Sequence, residues 1–260
     1  MKCREIIKVL EQDYDPSFAE SWDNVGLLAG DRDREVEKVF LALDVTDETL
    51  KAAVEFGADL MLTHHPLIFS GMKRVVEEDF IGRRVIGLIK NDISYYAMHT
   101  NFDILGMAEL SADYLKLTDR EVLEVTFEEE GRTEGIGRIG MLPKEMTLKE
   151  CGTFVKEQFS LPHVTVYGDL TRPVRRAAIC TGSGKSLMKD VLKKKADVYV
   201  TGDIDYHTAI DAMAQGVTII DAGHYGTEYI FMEYMKDQLA KKLPQLCTGT
   251  MEVSHPCTVL

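Results

Sequence analysis

Three short motifs carry residue types that bind divalent cations, and each follows an apolar run. THHP places His64 and His65 after LMLT, HTNFD places His99 and Asp103 after ISYYAM, and DAGHYGTE places His224 and Glu228 after VTII. Successive side chains on an extended backbone point to opposite sides, and Pro66 biases His65 toward that geometry. Two such imidazoles reach two different ions more readily than they chelate one. His224 and Glu228 are four positions apart, so a helix starting near Gly223 would set them one turn apart on one face. Taken singly, each motif also fits a structural role: a satisfied histidine pair, a turn or cap at Asn101 and Asp103, a capped helix start. Taken together, His64, His65, Asp103, His224 and Glu228 offer three nitrogen and two carboxylate ligands. That exceeds the three of an ordinary catalytic zinc site and suits two divalent ions sharing a carboxylate. Two ions bring a charge of +4 and the carboxylates return −2, leaving a cationic site with vacant positions for water and an anionic substrate such as a phosphate ester. Imidazole with carboxylate suits zinc, iron, manganese or cobalt. The chemistry expected is metal-dependent hydrolysis. His99, four residues before Asp103, and His207, in GDIDYH, are the candidates for proton transfer. Asp44 and Asn24 are further candidates to line the site, with a turn as the alternative for Asn24.

The elements that must hold these residues repeat. VFLALDVTDETLKAAVEFGADLMLT, from Val39, and AAICTGSGKSLMKDVLKKKADVYVT, from Ala177, share a pattern at an offset of 138 residues: Leu41 matches Ile179, Asp59 matches Asp197, and Thr63 matches Thr201. Each reads as a buried strand, a Thr/Ser/Gly turn, an amphipathic helix and a second strand ending in a polar cluster. A further helix and a third apolar strand follow in each half. Alternation of this kind predicts an α/β protein of two similar units with largely parallel or mixed sheets. Ligands gather at the carboxyl ends of parallel strands, where four of the seven histidines fall, together with Asp44, Asp203 and Asp221. The expected division is residues 1–125 plus 216–260 as a metal-binding domain and 126–215 as a second domain. The stretch 118–145, acidic and then Gly-rich, reads as the crossing between them. TGSGKS (181–186) lacks the first glycine of a phosphate loop, with Ile179 in its place. It reads as a strand-to-helix turn whose N–H groups could still meet an anion.

Composition narrows the function classes. The formal net charge is −13 over 260 residues, with no basic stripe, which argues against a nucleic-acid partner. No segment is long and apolar enough for a membrane span. The N-terminus, MKCREIIKVLEQDYD, is charged where a signal peptide is apolar, and reads as an amphipathic helix. Five scattered cysteines without a CxxC pair suit neither a disulfide framework nor a thiolate zinc site. A cytoplasmic protein is expected.

The segments SWDNVGLLAGD, LALDVTDETL, LTHHPLIF, HTNFD, GIGRIG, and TGDIDYH followed by DAGHYGTE resemble, in order from about residue 5 to 250, the NGG-one-interacting-factor-three-like family, often described as type-two homologues of GTP cyclohydrolase I. The resemblance implies a two-domain α/β chain assembled as a homohexamer, with two metal ions per chain in an inter-domain cleft. It places the ligands on His64, His65, Asp103, His224 and Glu228, with Glu228 bridging. The function implied is opening of the guanine ring of GTP at C8 with release of formate. A metal-dependent phosphoesterase on a nucleotide-like substrate and a non-catalytic metal-binding scaffold are the alternatives. Some members carry an inserted mid-chain domain, for which this chain has no room.

Overall fold

The computed structural model describes residues 1–129 and 131–259. In chain order the strands are β1 (Gly26–Ala29), β2 (Lys38–Ala42), β3 (Leu60–Thr63), β4 (Ser94–Ala97), β5 (Thr118–Glu129), β6 (Arg132–Thr147), β7 (Thr165–Tyr167), β8 (Pro173–Ser183), β9 (Val198–Gly202), β10 (Thr218–Asp221) and β11 (Cys247–Thr250). They form two mixed sheets in two compact units. Among the described residues no helix is long and apolar enough to cross a membrane.

The first unit comprises Met1–Phe102 and Tyr229–Val253. Its sheet has the order β1-β4-β3-β2-β11, parallel except where β1 meets β4. β3 and β4 are buried at every position, as expected of parallel strands covered on both faces. Phe40, Met61 and Tyr95 pack with Ala53, Val85 and Leu88 of the helices Asp47–Phe56 and Phe80–Lys90. Thr46 caps the first of these helices and Asp79 the second. The helix Ile230–Lys242 lies against β2 and β11.

The second unit runs from Asp103 to Glu228 and takes in the chain from Ser254 onward. Its sheet has the order β5-β6-β8-β9-β10-β7, with β8, β9 and β10 parallel. Ile139, Tyr199 and Ile219 pack with Val191, Ala209 and Ala212 in its core.

The sequence repeat is a repeat of register. Val39 pairs with Leu60 in one unit and Ala177 with Val198 in the other, and the next two pairs also match at the same offset. Asp59 Oδ2 accepts from the backbone N–H groups of Glu37 and Lys38. Asp197 Oδ2 does the same for Arg175 and Arg176. Each carboxylate ties the start of its second strand to the start of its first, which fixes how the strand ends line up at the opposite edge.

Two expectations about organisation are corrected. The division at 125/126 and 215/216 is displaced, because β10 pairs with β9 and β7 and so belongs to the second sheet. The supposed crossing at 118–145 is the β5/β6 hairpin, closed with Glu129 opposite Arg132; Glu130 lies outside the described residues. Its glycines disguised it, since glycine weakens a strand pattern. Here they permit close approach: a Cβ at Gly135 would stand 1.9 Å from the Glu124 carbonyl oxygen.

Candidate metal centre

In the first unit the carboxyl ends of β2, β3 and β4 are followed by Asp44, by His64 and His65, and by His99. One ligand atom from each of the three histidines lies within 4.8 Å of the others. Their ring centroids are 5.0 to 5.6 Å apart. The turn carrying the pair is rigid. Thr63 Oγ1 donates to the His65 carbonyl at 2.8 Å, and the buried Tyr95 hydroxyl stands 3.0 Å from that carbonyl while accepting from Leu67 N–H at 2.8 Å.

Each ring is oriented by an acceptor at Nδ1. For His64 it is the Met98 carbonyl at 2.8 Å, for His65 the Asp44 carboxylate at 2.8 Å, and for His99 the Asp23 carboxylate at 2.9 Å. A carbonyl or carboxylate requires the proton on Nδ1, which makes Nε2 the donor nitrogen of each neutral ring. Burial would raise Asp23, but hydrogen bonds from His99 and Thr100 outweigh it and hold the carboxyl down at about 2. Asp23 thus stays an acceptor.

In the second unit, His224 and Glu228 share the helical turn His224–Glu228, as their spacing predicts. Glu228 Oε2 is 3.0 Å from His224 Nε2. Asp203, just past the end of β9, accepts from His224 Nδ1 at 2.8 Å. Burial would lower His224, but the hydrogen bonds and charges of Glu228 and Asp203 push it up to about 9. Asp103 opens the π-helical turn Asp103–Met107, a distortion that often marks functional positions. Its ligand oxygen is within 4.8 Å of that of Glu228. Asp221, at the end of β10, pins two loops by accepting from Ile204 and Gly223 N–H.

The donor set fits a divalent cation. It offers imidazole nitrogen and carboxylate oxygen, with a backbone cleared around it. A Cβ at Gly182 would stand 2.2 Å from Glu228 Oε1, and one at Gly202 2.5 Å from His224 N. Burial and the charge of Asp103 push the Cys180 thiol well above its ordinary range.

The model of one family matches residues 1–256 of this sequence. The chain belongs to the Duf34/NIF3 (NGG1p interacting factor 3) family. Its relatives include a Clostridium perfringens protein, 35% identical over 94% of this chain and 93% of its own, and a Streptococcus pneumoniae protein, 38% identical over 90% and 88%. Both are named GTP cyclohydrolase 1 type 2 homolog. A crystal structure of a Bacillus cereus protein related to NIF3 superposes with a TM-score of 0.93 at 26% identity, over 100% of this chain and 99% of that one.

Within this family member, other candidates from the sequence sort themselves by contact. His207 is exposed in the first turn of the helix Tyr206–Ala214, packed against Tyr206, and belongs to none of the metal-capable clusters among the described residues. Asn24 donates to the Ile68 carbonyl and ties two loops together; its neighbour Asp23, on which sequence reasoning was silent, holds His99. TGSGKS runs from the end of β8 into the short 3-10 turn Lys185–Leu187, a strand-to-helix turn as its place in the repeat predicts: the Gly182 N–H is taken by Thr227 Oγ1, and Lys185 pairs with Asp205.

Proposed function

We propose that this protein is a hydrolase that uses two divalent cations on a nucleotide-like, phosphorylated substrate, and that its reaction is the opening of the guanine ring of GTP with release of formate. The observation that carries this reading is that His64, His65 and His224 each have Nδ1 engaged by an oxygen acceptor, which leaves Nε2 as the nitrogen that would meet a cation. Structural histidines need no such uniformity, whereas metal-ligating ones characteristically have it. In this reading His64, His65, Asp103, His224 and Glu228 would be the ligands. When bound, the ions would supply Lewis acidity and positive charge toward a developing oxyanion.

The chain's own groups do the positioning. Asp44 and Asp203 hold the His65 and His224 rings in one tautomer. Asp23 does so for His99, whose Nε2 is the site at which a proton is taken up and given back. The names of the relatives support guanine as the ring attacked. The proposal extends to zinc, iron or manganese as the metal, to a homohexameric assembly, and to the cytoplasm, with which five unpaired cysteines are consistent.

The test is product analysis of zinc- or manganese-loaded protein incubated with GTP. Formate release supports the proposal. Phosphate without formate would replace it with a phosphoesterase, and neither product, with two ions bound, would leave a metal-binding scaffold. An Asp44→Ala variant is expected to bind zinc about 10- to 100-fold more weakly. Its melting temperature should be nearly unchanged, because Asp44 is about half exposed. Competitive metal titration and calorimetry check both halves.

A further inference from the structure

Trp22 and Phe69 leave 56% and 52% of their surface exposed, although most large apolar side chains of the first unit are buried. Their rings touch, with centroids 5.7 Å apart and planes tilted by 40°. Both lie beside His99, at 6.0 and 6.5 Å between centroids. Two aromatic rings held in water are costly unless something covers them. The backbone beneath them is anchored all the same. Asp23, next to Trp22, accepts from Thr100 N–H and from His99, and Asn24 donates to the carbonyl of Ile68, next to Phe69. The rings therefore form a preorganised platform rather than a floppy surface patch.

The loop that carries Phe69 continues to Lys73 and Arg74. Both are exposed, and among the described residues neither has an ion-pair partner. With Phe69 and Ser70 they line a cavity of about 260 Å³, a volume suited to a phosphate chain rather than to a whole nucleotide. Asp79, also on its wall, spends its carboxylate capping a helix through Ile81 and Gly82 N–H. Lys73 and Arg74 outweigh Asp79 on this wall, so the cavity beside the aromatic pair is locally cationic on a chain of net charge −13, which suits an anion.

We infer that Trp22 and Phe69 are the stacking platform for a planar nitrogen heterocycle and that Lys73 and Arg74 hold the phosphates attached to it, so that this face is the specificity site for a purine nucleoside polyphosphate beside His99. This rests on the nucleotide reading above and gives that reading its recognition residues. A ring lies on the open face of the tilted pair, since the two rings are too close to admit a third between them. Stacking sets the preference for a base, and the Lys73–Arg74 pair sets the preference for a charged tail.

Trp22 is the single tryptophan of the chain, so intrinsic tryptophan emission reports on this platform alone and needs no turnover. The full chain, with and without zinc, is titrated with GTP, with guanosine and with inorganic triphosphate. GTP and guanosine are expected to quench saturably, GTP the more tightly. Triphosphate is expected to compete with GTP without quenching. Phe69→Leu, which keeps an apolar side chain but removes the ring face, should weaken guanosine binding about tenfold at unchanged metal content. Lys73→Ala with Arg74→Ala should bring GTP affinity down to that of guanosine. Emission indifferent to GTP and guanosine overturns the inference, even if formate is released and the proposed reaction stands. Emission that shifts with protein concentration alone overturns it in favour of an interface between copies of the chain. Quenching by GTP without formate keeps the platform and removes the reaction.

Discussion

A His64→Ala chain is expected to lose hydrolysis by more than about a hundredfold and to retain fewer divalent ions, while staying folded. His64 is fully buried, with its ring 5.5 Å from Phe231 and 6.1 Å from Phe102, and its Nδ1 bonded to the Met98 carbonyl. Residues that merely orient a ligand cost about 10- to 100-fold in affinity when removed, and a ligand itself costs more. The truncation also leaves a small void and an unbonded carbonyl. Together these cost about 2–3 kcal/mol, or a melting temperature lower by about 5–10 °C for a chain of this size. Phe231→Leu separates the two effects, because it loosens the same packing without removing a donor. Its melting point should fall while its metal content holds. Metal analysis and calorimetry on both variants decide the matter. Wild-type metal content and turnover in His64→Ala, with only the melting point lowered, would make this histidine structural.

The second large effect is expected from the smallest change, Gly182→Ala. Gly182 has φ +62°, and the added Cβ would lie 2.2 Å from Glu228 Oε1 and 3.3 Å from His224 Nε2. A left-handed conformation costs an alanine about 1–2 kcal/mol. The overlap costs more, because neither side can retreat easily. The Gly182 N–H is bonded to Thr227 Oγ1, and Glu228 is only 4% exposed on the same helical turn. Glu228 must leave its position, so metal binding and hydrolysis should fall together, to the level of a Glu228→Ala chain. Gly216→Ala is the matched control: it also has positive φ, +88°, but nothing stands within 4 Å of its would-be Cβ. It should show the backbone cost alone, as a modestly lower melting temperature with full metal content. If both glycine variants behave alike, Gly182 is a backbone requirement and not a clearance for the carboxylate.

How much of this was legible beforehand depends on the range of the physics involved. The strand, turn, helix, strand repeat was written in burial periodicity, which each segment expresses locally, and it reappears as identical registers about β2–β3 and β8–β9. The ligand types could be read because His64, His65, His99 and His224 all follow apolar runs, and the end of a parallel strand is where side chains converge. The one-turn spacing of His224 and Glu228 likewise needed only helix geometry. By contrast, the Gly-rich β6 was hidden, because its glycines answer to close backbone contacts with β5 and β8 that no local pattern displays. A boundary at 215/216 likewise misses β10, whose place is set by its long-range pairing with β9 and β7.

Residue order specifies which side-chain types are available for chemistry, and that the histidines His64, His65, His99 and His224 follow strands. How these groups are set is a property of the folded chain. It paired His99 with Asp23, 76 positions away, rather than using the adjacent Asn24. It gave His65 to Asp44 and His224 to Asp203, and it left His207 on an exposed helix. The physical reason is that periodicity encodes burial and backbone conformation, which are properties of a segment. The tautomer of an imidazole depends on which distant acceptor reaches its Nδ1, and that is settled only when the strands have found their neighbours.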